Sequence, residues 1–322
     1  MHERRPTTLA PVRLAPRRPT VLPVRANERE TPLRPILSRP PKKNRRGGGF
    51  WKGSIVVISA ILLTTLASKA SDSFKVADVL QLAGVGQSKE VLRCPPEMAY
   101  VPTSEGGFCI DRYEVSTGKT CPFRAPTSVI LTKENISDLT CMPESAKGAA
   151  PWVNLSESQA MALCAKSGKR LPTPGEWYRA ALGTPDVVSR DLSGCVLGLS
   201  GQGSASLAGS RANCVSSFGV YDMVGNVWEW VDADVRDGVW KETTLPSEGY
   251  VSGVDSDGVP TETGTSSPLA FNGDYFFIEP TGVRGMFRGG YWGLEEKSGV
   301  YTINATIEHN FAGGAVGFRC VK

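Results

Sequence analysis

Eight cysteines, all after Arg93, set the first constraint on how this chain folds: Cys94, Cys109, Cys121, Cys141, Cys164, Cys195, Cys214 and Cys320. An even number confined to one part of a chain reads as four disulfides in an oxidising compartment. Metal binding is the rival use of such thiols. No CxxC pair occurs, and His309 is the one imidazole outside the N-terminal segment, so zinc-type ligand sets find no match. Spacing alone leaves on the order of a hundred connectivities. The short loops point to Cys195–Cys214, Cys121–Cys141 and Cys94–Cys109.

The charge distribution supports export. Residues 1–52 hold fourteen Lys/Arg against Glu3, Glu28 and Glu30, a net charge of +11; the whole chain carries +4, so residues 53–322 carry −7. The basic segment is rich in proline and has no aromatic before Phe50, so it builds no core and reads as a disordered tail. Such a tail suits nucleic acid, but the apolar run after it supplies a simpler account, and no nucleic acid is expected on the folded domain. That run, GSIVVISAILLTTLAS from Gly53 to Ser68, is uncharged. It falls slightly short of the roughly 20 residues of a spanning helix, and Phe50 and Trp51 extend it as interfacial residues.

The positive-inside rule then leaves residues 1–52 in the cytoplasm and sends the rest outward. We read the chain as a cytoplasmic tail (1–52), a transmembrane signal anchor (53–70), a stalk (71–93) and one exported domain (94–322). The expected location is the cell membrane, single-pass. The alternative is secretion after cleavage at the small-x-small site Ser68-Lys69-Ala70.

Within the exported domain two helices carry start and stop signals. Ser156 caps the first, with Gln159 as the return partner of a capping box; Ala160, Leu163 and Cys164 share its inner face and Gly168 ends it. Thr173 caps the second, with Pro174 at the first helical position, Glu176 closing the box and Gly183 as the stop. Elsewhere short strands alternate with Gly/Ser/Asp loops, and residues 237–285 read as the loosest stretch. The tetrapeptide DSDG at 255–258 reads as a turn.

The run GVYDMVGNVWEWV, residues 219–231, places Glu229 between Trp228 and Trp230, directly after Gly225-Asn226. Strand alternation puts both indoles on one side and Glu229 on the other. A buried carboxylate needs a partner. On residue types alone two readings stand. One is a packed aromatic strand with a solvated glutamate, favoured because no full calcium-loop motif is present. The other folds Asp222 back beside Glu229, with the carbonyls of Gly225 and Val227, around a hard cation.

Four blocks, FCIDRYEVS (108–116), LCAKSGKRLPTPGEW (163–177), GVYDMVGNVWEW (219–230) and FRGGYW…GFRC (287–292 and 317–320), resemble the formylglycine-generating enzyme or sulfatase-modifying factor family, in the expected order. The resemblance covers roughly residues 94–322. It implies an irregular α+β domain of C-type lectin-like fold, low in regular secondary structure, here preceded by the single transmembrane helix. It also implies a structural calcium held by Asp222, Gly225, Val227 and Glu229, while the second calcium site of the family looks incomplete, with Asn213 matching one ligand. Finally, it implies a Cys164–Cys320 disulfide.

The enzyme reading meets an obstacle. Family enzymes oxidise a substrate cysteine with copper held by two cysteines five residues apart, just after a GGS segment, and soft thiolates suit Cu(I). Ungapped alignment from Gly289-Gly290 puts Leu294 and Gly299 at those positions, with Tyr291 replacing the serine. No cysteine lies between Cys214 and Cys320. No copper is expected, and no catalytic residue is assigned. The stretch instead combines aromatic and adaptable polar groups, which suits recognition. Tyr291, Glu295, Tyr301, Asn304, His309 and Asn310 form the candidate surface, within residues 291–311, for a protein or small ligand. The leading reading is a non-catalytic binding module. The alternatives are an oxidoreductase of the same family with altered metal chemistry, and a structural component of an envelope assembly.

Overall fold

Short apolar or alternating runs, punctuated by Gly and Pro, determine the element list before packing is considered. The computed structural model describes residues 93–186, 193–198 and 203–322. The tail 1–52, the membrane helix expected at 53–70 and the stalk up to residue 92 lie outside those residues. Among the described residues no helix is long and apolar enough to cross a membrane.

In chain order the elements are β1 (Met98–Val101), β2 (Phe108–Asp111), β3 (Val115–Thr117), α1 (Val129–Ser137), β4 (Pro143–Ser145), α2 (Glu157–Lys166) and α3 (Pro174–Ala181). Then come β5 (Trp228–Arg236), β6 (Val239–Trp240), β7 (Thr243–Thr244), β8 (Gly249–Val254), β9 (Pro260–Gly264), β10 (Tyr275–Ile278), β11 (Val283–Arg288), β12 (Ile303–Ala305) and β13 (Val316–Phe318). The fold is sheet-rich with few helices. β1 and β2 pair antiparallel, as do β3 and β4. The other strands make one mixed sheet in the order β7-β6-β5-β11-β12-β10-β8-β9, with β13 parallel against β5. β11 lies along one edge of β5; β13, at Trp228 to Trp230, and β6, at Arg236, share the other.

Both capping boxes form: Ser156 and Thr173 accept from the backbone N–H of Gln159 and Glu176, whose side chains accept in return. Helix α1 was not evident from the sequence, because it docks through polar groups. Its buried residues are Thr132 and Asn135. Asn135 Nδ2 donates to Phe123 O at 2.8 Å, and Thr132 Oγ1 accepts from Trp152 Nε1 at 3.3 Å. The stretch 237–285 differs from its sequence reading as well. It supplies β6 to β10 and the start of β11, in strands too short, and in β8–β9 too irregular in register, to leave a period-2 pattern.

β5 divides the interior into two layers, because its side chains alternate between sheet faces. Trp228 and Trp230 join Trp152, Leu155, Ala160, Leu163 and Phe287 in the cluster under α2. Val231, Ala233 and Val235 join Trp177, Ala180, Met286 and Ile303 in the cluster under α3. The segment after β13 ties the layers to the first hairpin: Asp111 N donates to Cys320 O at 2.9 Å, and Val321 exchanges backbone bonds with Arg170 at 2.8 and 3.0 Å.

All eight cysteines are paired, as Cys94–Cys109, Cys121–Cys141, Cys164–Cys320 and Cys195–Cys214. The Cys164–Cys320 bond joins α2 to the end of the sheet across 156 residues, the separation at which loop-closure entropy favours a crosslink most. The chain-entropy estimate for such a loop is about 5 kcal/mol. Replacing Cys164 and Cys320 together by Ala should lower unfolding stability by about 3–5 kcal/mol. A urea titration of the oxidised protein should show a lower midpoint with at least two-thirds of the slope retained; an unchanged midpoint contradicts the role.

Candidate functional site

The block before β5 folds as a tight turn because four of its residues adopt left-handed backbone: Gly219 at φ 76°, Asp222 at 57°, Gly225 at 75° and Asn226 at 54°. Gly225 leaves no room for a side chain, since an added Cβ would overlap Val196 O. Asn226 fixes the turn from its side chain, donating to Glu114 Oε2 at 2.7 Å and accepting from Ser206 N at 2.7 Å. The turn delivers Glu229 to the face of β5 opposite the two indoles.

There Glu229 is 1 % exposed, and its charge is met from within the chain. Arg319 Nη2 donates to Oε1 at 2.6 Å, Arg319 Nε donates to Oε2 at 2.6 Å, and Trp177 Nε1 donates to Oε2 at 2.7 Å. Arg319 also donates to the carbonyls of Asp111 and Tyr221, at 2.9 and 2.8 Å. Each arm of the guanidinium is thus satisfied, the condition under which a buried pair is tolerated.

Such pairing bears directly on the calcium expectation. A carboxylate offers about four lone-pair positions, and Glu229 uses three on Arg319 and Trp177. It lacks the two-oxygen face of a bidentate calcium ligand. Asp222 accepts from Gly209 N at 2.6 Å. Its carboxyl is pushed up to about 6 by burial, with Glu229 adding to the shift. Glu114, fully buried with Oε1 unpartnered, is pushed well above the carboxylate range by burial and by Asp222 and Glu229, which favours a proton there. Among the described residues no three His, Cys, Asp or Glu side chains converge as a metal set. The cation opposite Glu229 as packed is thus the Arg319 guanidinium. The sequence required a partner for Glu229 but did not pick out Arg319, although that residue stands in the GFRC block.

Four of the six candidate ligand-binding residues divide between the two faces. Tyr291 stacks on Trp228, with ring centroids 6.3 Å apart, on the α2 side. Asn304 lies opposite both Phe277 and Phe287 in the sheet, on that same face. His309 reaches Glu157 and Asp234, also on that side. Tyr301 corrects the expectation of one surface. It packs on the α3 side against Tyr178 and Phe271, where burial and a hydrogen bond with Tyr178 push its phenol up to about 12. Glu295 and Asn310 are exposed.

What the α2 face does assemble is a row of rings. Tyr250 meets Tyr275, Tyr275 meets Phe277, Phe277 meets Trp228, and Trp228 meets Tyr291, with centroids between 4.6 and 6.4 Å apart. Lys297 Nζ sits over the Tyr275 ring at 3.9 Å, close enough for a cation–π contact.

The two positions aligned with the copper cysteines are filled differently. Leu294 packs against the aromatic cluster. At Gly299 an added Cβ would overlap the carboxylate of Asp274. Asp274 is fully buried, accepts from Tyr301 N at 2.6 Å, and is pushed well above its usual range by burial.

Comparisons with known proteins place this geometry. A family model described as "Sulfatase-modifying factor enzyme 1-like domain" matches residues 85–322. The formylglycine-generating enzyme of Thermomonospora curvata is 32 % identical over 114 residues, 30 % of this chain and 37 % of that enzyme. The chain thus aligns with little more than a third of that relative. Solved structures that align with it include the major tropism determinant P3c variant (18 % identity, TM-score 0.37, 71 % of this chain and 52 % of that one). Treponema denticola variable protein 1 aligns at 15 % identity and TM-score 0.38, covering 71 % of this chain and 91 % of that one.

If Arg319 supplies the charge that Glu229 needs, chelation with EDTA should move the melting temperature by less than about 2 °C, under about 1 kcal/mol for a domain of this size. Arg319→Met, which leaves Glu229 buried and unpaired, should cost about 3–5 kcal/mol. Differential scanning calorimetry with and without chelator reads both; a large chelator-induced drop in the parent protein would reinstate the metal.

Proposed function

The chain belongs to the sulfatase-modifying factor enzyme 1-like family, and on that footing we propose that it is an exported, membrane-anchored binding module rather than a copper oxidase. One observation carries the reading: the place of a second copper thiolate, Gly299, is backed by the Asp274 carboxylate with no room for a side chain. The described cysteines support it, since each is in a disulfide and none offers a free thiolate. The anchor, residues 53–70 with the N-terminus cytoplasmic, rests on the uncharged run and the +11 segment before it.

The capture surface we favour is the ring row on the α2 face, with Tyr291 at one end, Asn304 beside Phe277 near its middle and Lys297 over Tyr275. Half-buried aromatics give large contact area at low entropic cost, and adjacent Asn and Lys groups add direction. Tyr301 is left out because it faces the other layer. The ligand is a protein or small molecule outside the membrane.

A photo-crosslinking residue placed at Tyr291 or Asn304 of the full chain in its native membrane should give a discrete adduct, and the same residue at Tyr301 should not. Equal labelling at all three positions, or none at 291 and 304, would remove this surface. Metal analysis of the purified chain should find copper and iron far below one atom per chain; stoichiometric copper or iron would favour the altered-chemistry oxidoreductase instead.

A further inference from the structure

His309 is held between two carboxylates. Its Nδ1 contacts Glu157 Oε2, and its Nε2 lies 3.1 Å from Asp234 Oδ1. Glu157 is the first residue of α2, with a side chain 5 % exposed, whereas Asp234 on β5 is 50 % exposed. Backbone bonds hold the same segment in place. Gly285 N donates to Ile307 O at 2.9 Å, Glu157 N to His309 O at 3.2 Å, and Asn154 N to Gly313 O at 3.0 Å.

A neutral imidazole has one N–H and one bare nitrogen. It satisfies one facing carboxylate and turns a lone pair toward the other. Only an added proton, on the ring or on Glu157, makes both contacts attractive. The surrounding charges sharpen this need. β5 presents Asp232 and Asp234, with Arg236 tied to Asp234 at 2.7 Å. α2 presents Glu157, the segment itself carries the exposed Glu308, and β11 brings Gly285, which has no charge.

We propose that Glu157, His309 and Asp234 form a proton-operated clasp that holds residues 306–313 on α2 when one proton is bound and releases them when it is lost. The sign comes from the groups themselves. Burial pushes Glu157 from 4.5 to about 7, His309 opposes that shift, and Asp234 and Asp232 reinforce it. A carboxyl raised in the fold stabilises the closed form at low pH, and that contribution is lost as pH rises through about 7. The clasp therefore opens toward alkaline pH.

The clasp is measured without any ligand. Hydrogen–deuterium exchange of the full chain at pH 6 and 8.5, corrected for the intrinsic pH dependence of exchange, should show opening of 306–313 rising by about tenfold or more. Peptides from β5 and β13 should not change. Glu157→Gln mimics the protonated acid and should keep the segment closed at both values, whereas His309→Gln should leave it open at both. Asp234→Asn, at an exposed position that leaves the core intact, should raise opening at pH 6 and guards against misfolding of the other two. A parent protein equally protected at both pH values overturns the clasp, as does a pH response that persists in Glu157→Gln.

Discussion

The ion pair between Glu229 and Arg319 is the constraint around which the rest of the domain is arranged. It lies fully buried where the turn after Tyr221, the start of β5, the end of β13 and the N-terminal hairpin meet. Replacing either group without the other leaves an uncompensated charge in the interior, the situation that proteins tolerate least. The pair therefore sets the registration of β13 on β5. Gly317 stands opposite Glu229, so Arg319 falls two residues further along, the same side of the strand. A one-residue slip would carry the guanidinium to the tryptophan face.

The alternation that puts Glu229 on Arg319 puts Trp228 and Trp230 on the opposite layer, beneath α2. One layer is occupied with internal charge compensation and with Arg288, which donates to the carbonyls of Pro174, Asp257, Gly258 and Val300. The other layer keeps its rings partly open along β8 and β10 and at Tyr291. This division explains why recognition is better sought on the α2 face. The α3 face uses its polar groups to stabilise itself, and its aromatic Tyr301 is already committed to Tyr178 and Phe271.

The sequence made the family and its helix starts legible because those signals are local. Ser156 with Gln159, and Thr173 with Glu176, each announce a capping box within four residues, and the four resemblance blocks occur in order. The short-loop cysteines are local in the same sense. What stayed hidden depends on residues far apart in the chain. Glu229 declared its need for a partner, but nothing in the spacing selected Arg319, 90 positions later. Tyr291 and Tyr301 looked equivalent until the packing placed one on Trp228 and the other on Tyr178 and Phe271, in different layers. Helix α1 and the strands between 237 and 285 lacked the periodicity that sequence reading relies on, one for its polar docking and the others for their shortness.

The Cys164–Cys320 crosslink has a kinetic side. Contact between two thiols becomes rarer as the chain between them lengthens, so Cys164 meets Cys141, 23 residues back, or Cys195, 31 residues on, far more often than Cys320. Oxidation that outruns folding is thus expected to trap the wrong partner, and the native bond then needs thiol–disulfide exchange, attack by a free thiolate on the mispaired bridge. Since β13 enters the sheet beside a strand nearly ninety residues earlier, long-range pairing is itself slow to form. The late arrival of one short strand therefore makes the domain's yield depend on how quickly its compartment can reshuffle disulfides, a dependence that its final stability does not reveal.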